Sequence, residues 1–272
     1  MISYYKDANQ TYDEQIKVLL RTYNAQFVNY DDRDCIYLYA IAHNQLIGAL
    51  IVRHAWDWAT IGNIYYQNSQ VLEDLIQKAW QYYQDKAVGI KFFTQVLEQF
   101  NDFVNAGFKQ VNQIYYDDEL IYYYADLLEL KEKPIVNDIL LCHEPKEVYQ
   151  EILDQHVYNF KKKHQINDDV IGRFDMAVLD NEKCIGGIQC EHYENILYIN
   201  RLVVDTNYKN RAIGSHLINE AIQYAIKSNL KLIELGTVEF QARPFYEKFG
   251  FKVVHTRNDN PKGYKNYSMI KK

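Results

Sequence analysis

An internal repeat constrains the fold of this chain more than any other feature. The apolar segment 46–51 matches 184–189 at an offset of 138 positions, and both contain a glycine near the centre. The segment 103–108 matches 246–251 at an offset of 143, and both begin with an aromatic residue and end in Gly-Phe. Two matches in the same order at nearly the same offset predict two copies of one domain in tandem.

The join between the two copies is expected near 129–134, where charged residues and Pro134 interrupt the apolar pattern. We therefore predict a first domain over 1–130 and a second over 131–272. A chain of 272 residues is long enough for two domains of ordinary size. Its 48% hydrophobic and 15% aromatic content is sufficient to fill both cores.

Hydrophobic periodicity predicts a mixed fold for the second domain. Strands are expected over 174–179, 184–192 and 196–204, separated by tight polar turns that are typical of an antiparallel meander. An amphipathic helix is expected from Ile213, with apolar residues three and four positions apart. This order of elements predicts an α+β fold rather than a regular doubly wound sheet.

Composition and charge argue against several classes of partner. The net charge of −6 argues against nucleic acid, because phosphate binding requires a concentrated basic surface. The sequence has no apolar stretch of about 18 residues and no signal-peptide pattern, so we expect no membrane association and a cytoplasmic location. The four cysteines show no CxxC spacing, which predicts free thiols and no metal site.

A basic loop follows the strand that ends at Val204 and leads directly into the helix. Lys209 and Arg211 supply positive charge, and Gly214 allows the backbone to turn tightly. Free amides at a helix start, together with the helix dipole, favour an anion, so the loop suits a pyrophosphate. The alternative is that Gly214 only packs at the helix start and that both cations are solvated.

The loop resembles the signature of the GNAT acetyltransferases. Lys209–Gly214 fits that signature, with Ala212 at a position where glycine is usual. Residues 242–251 look like the second hallmark of the family, a helix with a tyrosine followed by Gly-Phe, although Glu239 replaces an asparagine that many members have upstream. The resemblance covers roughly 135–270. It implies two GNAT-like domains, each with a mostly antiparallel, partly splayed sheet flanked by helices.

The resemblance also implies a site for acetyl-CoA as co-substrate. The residues expected to hold it are Leu202, Val203, Val204, Lys209, Asn210, Arg211, Ala212, Ile213, Gly214 and Ser215. In the family the strand 196–204 would diverge from 231–235, and the amides near Leu202–Val204 would hold the pantetheine arm and polarise the acetyl carbonyl. Tyr246 would protonate the departing CoA thiolate.

The general base is left open by the sequence. Glu191 and His192 precede the diverging strand, where acceptor groups often converge in this family. Successive strand residues point to opposite faces, so at most one of the two is expected to face the cleft. A water relay would make a protein base unnecessary, and a packing role for Tyr246 is the alternative to its role as an acid.

The first copy lacks the features that bind a phosphate. The region equivalent to the basic loop is 62–70, which has no basic residue and no glycine next to the following helix, 71–84. We therefore expect the first domain to be a degenerate copy without acetyl-CoA. Residues 1–130 carry 9 basic and 17 acidic side chains, which would favour a cationic amine nearby. The chain is expected to be a monomer in which the two copies mimic a dimer.

The resemblance, together with these features, implies an N-acetyltransferase. It would transfer acetyl from acetyl-CoA to the primary amine of a small molecule or a peptide, by direct attack in a ternary complex and without a metal. Two alternatives remain: an aminoacyl-tRNA-dependent transferase with paired GNAT-like domains, and a sensor that binds acetyl-CoA without turnover. The sequence does not identify the acceptor.

Overall fold

The structure is a computed structural model that describes residues 2–6, 11–29, 33–116, 119–167 and 170–272. The elements in chain order are β1 (Ile2–Lys6), α1 (Asp13–Asn24), β2 (Asp34–Ala42), β3 (Gln45–Ala55), β4 (Trp58–Tyr66), α2 (Ser69–Tyr83), β5 (Gly89–Thr94), α3 (Leu97–Asn105), β6 (Lys109–Tyr116), β7 (Glu119–Leu127), β8 (Asp138–Cys142), α4 (Glu147–Lys163), β9 (Gly172–Asp180), β10 (Lys183–Tyr193), β11 (Ile196–Val204), α5 (Ile213–Lys227), β12 (Leu232–Val238), α6 (Arg243–Lys248), β13 (Lys252–Arg257) and β14 (Asn266–Lys271).

The chain forms two compact units. Unit 1 consists of Met1–Val28, Asn167–Arg257 and Tyr264–Lys272. Unit 2 consists of Asn29–Ile166 and Asn258–Gly263. Each unit contains one seven-stranded sheet and three helices among the residues that the structure describes.

The two sheets have the same topology. The strand order is β1-β9-β10-β11-β12-β14-β13 in unit 1, and it is β8-β2-β3-β4-β5-β7-β6 in unit 2 when read from the equivalent edge. All neighbouring strands are antiparallel except β11 with β12 in unit 1 and β4 with β5 in unit 2. The predicted α+β class, with two mostly antiparallel sheets flanked by helices, is confirmed.

The compact units do not follow the linear division into 1–130 and 131–272. β1 and α1, at the start of the chain, belong to unit 1, whereas β8 and α4, which lie beyond residue 130, belong to unit 2. The pairing of β1 with β9 and of β8 with β2 fixes this exchange. A repeat in the sequence marks the order of equivalent elements, but it carries no signal for the sheet that an edge strand joins.

In unit 1 the helices cover both faces of the sheet. α5 packs on one face against β9, β10 and β11, and α1 packs on the other. Ile16 of α1 is 1% exposed and lies on Ala177, Leu179 and Val203. A Cβ at Gly187 would lie 2.4 Å from the Ile16 side chain, so the glycine under α1 makes room for it. Burying a side chain of this size stabilises the fold by roughly 1.5–3 kcal/mol.

Three further properties bear on the predictions. The four cysteines are free, as the sequence predicted. None of the helices in the described part of the chain is long and apolar enough to cross a membrane. Within the described ranges, no group of three His, Cys, Asp or Glu side chains is placed to hold a metal ion.

Candidate functional site

The strands β11 and β12 diverge in unit 1. They pair only where Ile196–Ile199 lie beside Leu232–Leu235. Among the described residues, β11 continues to Val204 with no partner on β12, while β12 continues with β14 as its neighbour. The backbone amides along 200–204 therefore border a wedge between two strands, where a ligand can bind them. The divergence expected at this strand is present.

A β-bulge lies where β11 leaves β12. Gln189 of β10 is opposite Arg201 and Cys190 is opposite Ile199, so Asn200 is an extra residue in β11. An extra residue reverses the alternation of side chains along a strand. As a result Ile199 faces α5, whereas Arg201 faces α1 on the other side of the sheet.

The loop between β11 and α5 presents backbone amides. Asn210 and Ala212 adopt left-handed conformations, with φ of 63° and 59°. Ala212 is the residue before α5, and no side chain caps the helix start there in the structure as described. The first amides of α5 are thus not satisfied by a side-chain acceptor, and they carry the positive end of the helix dipole. This geometry is favourable for a phosphate group.

The two cations of the loop rest on tyrosine rings. Lys209 Nζ lies 4.4 Å from the ring centroid of Tyr23, and the Arg211 guanidinium lies 4.9 Å from that of Tyr208. Both cations are exposed, and no carboxylate of the described residues pairs with either. Their charge is therefore available to an anion at the start of α5.

The remaining residues of the predicted cofactor site differ in whether their side chain or only their backbone can reach a ligand. Val203 and Ile213 are buried in the two cores, so only their backbone can reach a ligand. A Cβ at Gly214 would lie 3.5 Å from Phe245 and 3.8 Å from Val204, which are ordinary contacts. The fold therefore accepts alanine at position 214.

Leu202 and Val204 face α5, and Ser215 lies partly exposed in the first turn of that helix. All of the residues in the predicted cofactor site thus lie on β11, in the loop or in the first turn of α5.

Tyr246 lies on α6 inside the core below the wedge. Its side chain is 6% exposed and belongs to the same apolar cluster as Cys190 and Ile199. Burial raises the pKa of Tyr246 well above its usual value, and the nearby Cys190 thiol contributes in the same direction. The hydroxyl therefore keeps its proton at neutral pH, which is the state that a proton donor needs.

The two predicted base candidates lie on opposite faces of β10. The Glu191 carboxylate pairs with Arg173 at 3.0 Å and accepts hydrogen bonds from Tyr193 at 2.9 Å and Asn200 at 3.1 Å. His192 Nδ1 lies 3.2 Å from the Tyr224 hydroxyl of α5. The structure brings Glu191, but not His192, to the α1 face.

A polar cavity lies on the α1 face beside the bulge. It has a volume of about 220 Å³ and is lined by nine residues of α1, β9, β10 and β11. Asp13 on α1 and Asp175 on β9 form part of its wall, and so do Glu191 and Arg201. Burial raises the pKa of Asp175, partly offset by the hydrogen bond that it accepts from the Cys190 amide.

The sequence analysis did not identify Glu234. This residue is paired with Tyr198 across β11 and β12, one position before the strands diverge. Its neighbours Ile233 and Leu235 face α5, so Glu234 lies on the α1 face. Burial raises its pKa to about 7. A single carboxylate within an apolar strand was the only signal in the sequence.

The equivalent region of unit 2 has the same divergence but different side chains. β4 and β5 pair only over Trp58–Thr60 and Gly89–Lys91. At the start of α2 the Asn68 side chain accepts a hydrogen bond from the Val71 amide at 3.0 Å, so an internal group already occupies that amide. Phe103 stands at the position of Tyr246; it is fully buried and stacks on Phe92 at 3.7 Å.

Known proteins resemble part of the chain. An uncharacterised N-acetyltransferase of Methanocaldococcus jannaschii is 31% identical over 114 residues, which cover 36% of this chain and 50% of that protein. N-acetylaspartate synthetase of Xenopus tropicalis is 33% identical over 85 residues, 30% of this chain and 31% of that protein. The chain thus spans from about a third to half of the length of these relatives.

A solved acetyltransferase of Bacillus cereus is 25% identical and covers 48% of this chain and 95% of its own, with a TM-score of 0.43. The acetyltransferase (GNAT) family matches residues 137–251. That stretch includes the diverging strand, the basic loop, the start of α5 and Tyr246. Residues 137–251 therefore match the pattern of the acetyltransferase (GNAT) family in chain order, although this stretch is divided between the two compact units.

Proposed function

We propose that the chain is an acetyl-CoA-dependent N-acetyltransferase whose active site lies in unit 1. The observation that carries the proposal is the uncapped start of α5 beside the wedge between β11 and β12. The loop amides, Lys209 and Arg211 would hold the pyrophosphate. The amides along Leu202–Val204 would hold the pantetheine arm, as the family resemblance implies.

Acetyl-CoA would supply an acetyl group activated as a thioester. In the transfer an amine nitrogen forms a bond to the carbonyl carbon, the carbon–sulfur bond breaks, and the electron pair leaves on sulfur. Amides at the wedge would stabilise the negative charge that develops on the carbonyl oxygen. Tyr246 would donate its proton to the leaving sulfur, and a base would take the proton that the amine loses.

We assign the base to Glu234 rather than to Glu191. Glu191 already accepts from Tyr193 and Asn200 and pairs with Arg173, and these contacts stabilise its ionised form and hold its carboxylate in place. Glu234 lies on the acceptor side of the sheet next to the wedge, and its pKa of about 7 suits proton transfer at neutral pH. His192 faces α5, away from this side.

The proposal includes one active site per chain. In unit 2 the Tyr66 hydroxyl donates to Asp102 at 2.6 Å and ties the end of β4 to α3. Phe103 has no hydroxyl that could serve as an acid, and Asn68 already occupies an amide of α2. These features favour a degenerate first copy, as the sequence suggested.

Isothermal titration calorimetry with acetyl-CoA, together with an assay of free thiol, tests the proposal. We expect one acetyl-CoA per chain and thiol release that depends on an added amine. Two sites of similar affinity would contradict the degenerate copy. Binding without thiol release across a broad panel of amines would favour the sensor, and release that required aminoacyl-tRNA would favour the other alternative.

A further inference from the structure

The polar cavity of unit 1 lies next to the place where the acetyl group would be held. Gln189, Cys190, Asn200 and Arg201 form the bulge and also line the cavity. The bulge begins directly after Ile199, the last residue of β11 that pairs with β12. A molecule in the cavity therefore lies beside the wedge, on the face opposite α5.

The cavity is lined by three cations and three carboxylates, and four of these groups form two ion pairs with one another. Lys17 pairs with Asp13 at 2.5 Å, and Arg173 pairs with Glu191 at 3.0 Å. Arg201 and Asp175 remain. Within the described part of the chain, neither of them forms an ion pair.

Arg201 is held by a neutral group. Its guanidinium donates to the Gln189 side-chain oxygen at 2.9 Å, and the amide nitrogen of Gln189 donates to Asp13. Asp13 is in turn fixed by Lys17. A guanidinium has five N–H donors, and Gln189 uses one of them. The others suit a carboxylate, which arginine binds in a two-pronged geometry.

Asp175 is a partly buried carboxylate that accepts from a backbone amide of Cys190. A carboxylate taken out of water favours a nearby positive charge. Arg173, the nearest cation on its own strand, is committed to Glu191. Arg201 is thus an unpaired cation next to the wedge, whereas Asp175, across Gln189 from it, is an unpaired carboxylate at the end of the cavity remote from the wedge.

We propose that this cavity binds a small acceptor that carries both an amine and a carboxylate, such as a free amino acid, with its carboxylate on Arg201 and its amine towards the wedge between β11 and β12. This inference rests on the proposed N-acetyltransferase function and names its substrate class. The volume of about 220 Å³ is below the roughly 300–1,000 Å³ of sites for drug-sized ligands. The size therefore favours an amino acid over a peptide within the cavity itself.

The test compares free L-amino acids with the primary amides of the same amino acids, which keep the amine but lose the carboxylate charge. Thiol release at saturating acetyl-CoA gives kcat/KM for each pair. For the best amino acid we expect the free acid to exceed its amide by about tenfold or more, because a charge-assisted hydrogen bond is lost in the amide. Arg201→Gln should remove this preference by raising KM for the acid, with little change for the amide.

Two further variants sharpen the result. Arg201→Lys keeps the positive charge but loses the planar guanidinium that can donate two parallel hydrogen bonds. It should retain only part of the preference for the free acid over the amide. Arg21→Gln removes the same charge from an exposed position of α1 outside the cavity, and should retain the full preference for the free acid. Circular dichroism of Arg201→Gln checks that unit 1 is folded.

Equal rates for acids and amides, or a preference that survives Arg201→Gln, would overturn the inference while the proposed function stands. If calorimetry shows acetyl-CoA binding but neither the amino acids nor the broad panel of other amines releases thiol, both the proposed function and this inference are wrong.

Discussion

At the scale of single residues, backbone conformation and burial explain features that look like departures from the family pattern. Ala212 replaces the usual glycine of the signature, yet it adopts φ of 59°. A Cβ in that region costs roughly 1–2 kcal/mol, so the chain tolerates strain at the start of α5. Glu234 is a second residue whose surroundings change its properties, because burial raises its pKa to about 7.

Replacing Ala212 with glycine should raise the free energy of unfolding by about 0.5–1 kcal/mol, because the relief of strain exceeds the entropy that glycine adds to the unfolded chain. Urea denaturation measures this change. Ala25→Gly is the matched control, since Ala25 is also exposed next to a helix end but has a φ of −61°. That variant should lose about 0.5–1 kcal/mol. Equal effects at both positions would contradict the assignment of strain to Ala212.

Replacing Glu234 with glutamine should stabilise the protein in a pH-dependent way. The folded state raises the pKa of Glu234 from 4.5 to about 7, so the folded protein binds this proton more tightly than the unfolded chain does. The associated stability is complete below pH 4.5 and is lost as the pH rises to about 7.

At pH 8 we therefore expect Glu234→Gln to exceed the wild type by up to roughly 3 kcal/mol, and the difference should shrink towards pH 4.5. Denaturation curves across this range measure it. The same variant should lose the rise in kcat/KM that the wild type shows as the pH increases through about 7. A difference in stability that does not vary with pH would show that the carboxyl has an ordinary pKa.

Replacing Tyr246 with phenylalanine should lower turnover by roughly 100-fold with little change in acetyl-CoA affinity, because the hydroxyl acts only on the leaving sulfur. Steady-state kinetics and calorimetry separate the two effects. Tyr224→Phe removes a hydroxyl of the same domain, one that contacts only His192 among the described hydrogen bonds, and should leave turnover unchanged. Unaltered turnover in Tyr246→Phe would assign this proton transfer to water.

At the scale of elements, the starts of α5 and α2 show how one topology supports different functions. Both helices follow a strand that diverges from its parallel neighbour. α2 begins with Asn68, whose side chain caps the helix, whereas α5 begins after Ala212 without such a cap. The loop before α5 also contains Lys209 and Arg211. An uncapped helix start next to two cations is available for a ligand, and a capped one is not.

Substitutions at the two helix starts should therefore have opposite effects. Gly214→Ala should preserve stability, because the added methyl meets Phe245 and Val204 at ordinary distances, but it should weaken acetyl-CoA binding by about tenfold by obstructing close backbone approach. Asn68→Ala should cost about 1 kcal/mol of stability and leave that affinity unchanged. Calorimetry and urea denaturation measure both quantities. Normal binding by Gly214→Ala would mean that the phosphates do not approach this turn.

At the scale of the whole molecule, each compact unit depends on both halves of the chain. Unit 1 requires β1 and α1 from the first half, and unit 2 requires β8 and α4 from the second. The family match over 137–251 follows the order of the chain and thus includes β8 and α4. The repeat in the sequence and the unit in space are therefore different sets of elements.

Fragments 1–130 and 131–272 should consequently fold together but not apart. The second fragment alone lacks the strand beside β9 and the helix that buries Ile16, so we expect it to aggregate or remain largely unfolded. Co-expressed fragments should co-purify in a one-to-one complex that binds acetyl-CoA. A monomeric, folded fragment 131–272 that binds acetyl-CoA by itself would show that β1 and α1 are dispensable for unit 1.

Local patterns in the sequence predicted many of the helices and strands and part of the candidate site. Alternation and periodicity predicted the strands and α5 of the second half and the opposite faces of Glu191 and His192. Residue types predicted the basic loop, and the family resemblance implied the role of Tyr246. These features depend on neighbours within a few positions, so a single sequence records them.

Only the tertiary structure decided the exchange of β1 and α1 for β8 and α4, the bulge that turns Arg201 towards α1, and the pKa of Glu234. Each of these results from contacts between residues far apart in the chain. Edge pairing, strand register and desolvation depend on which distant groups become neighbours, and a local pattern does not contain that information.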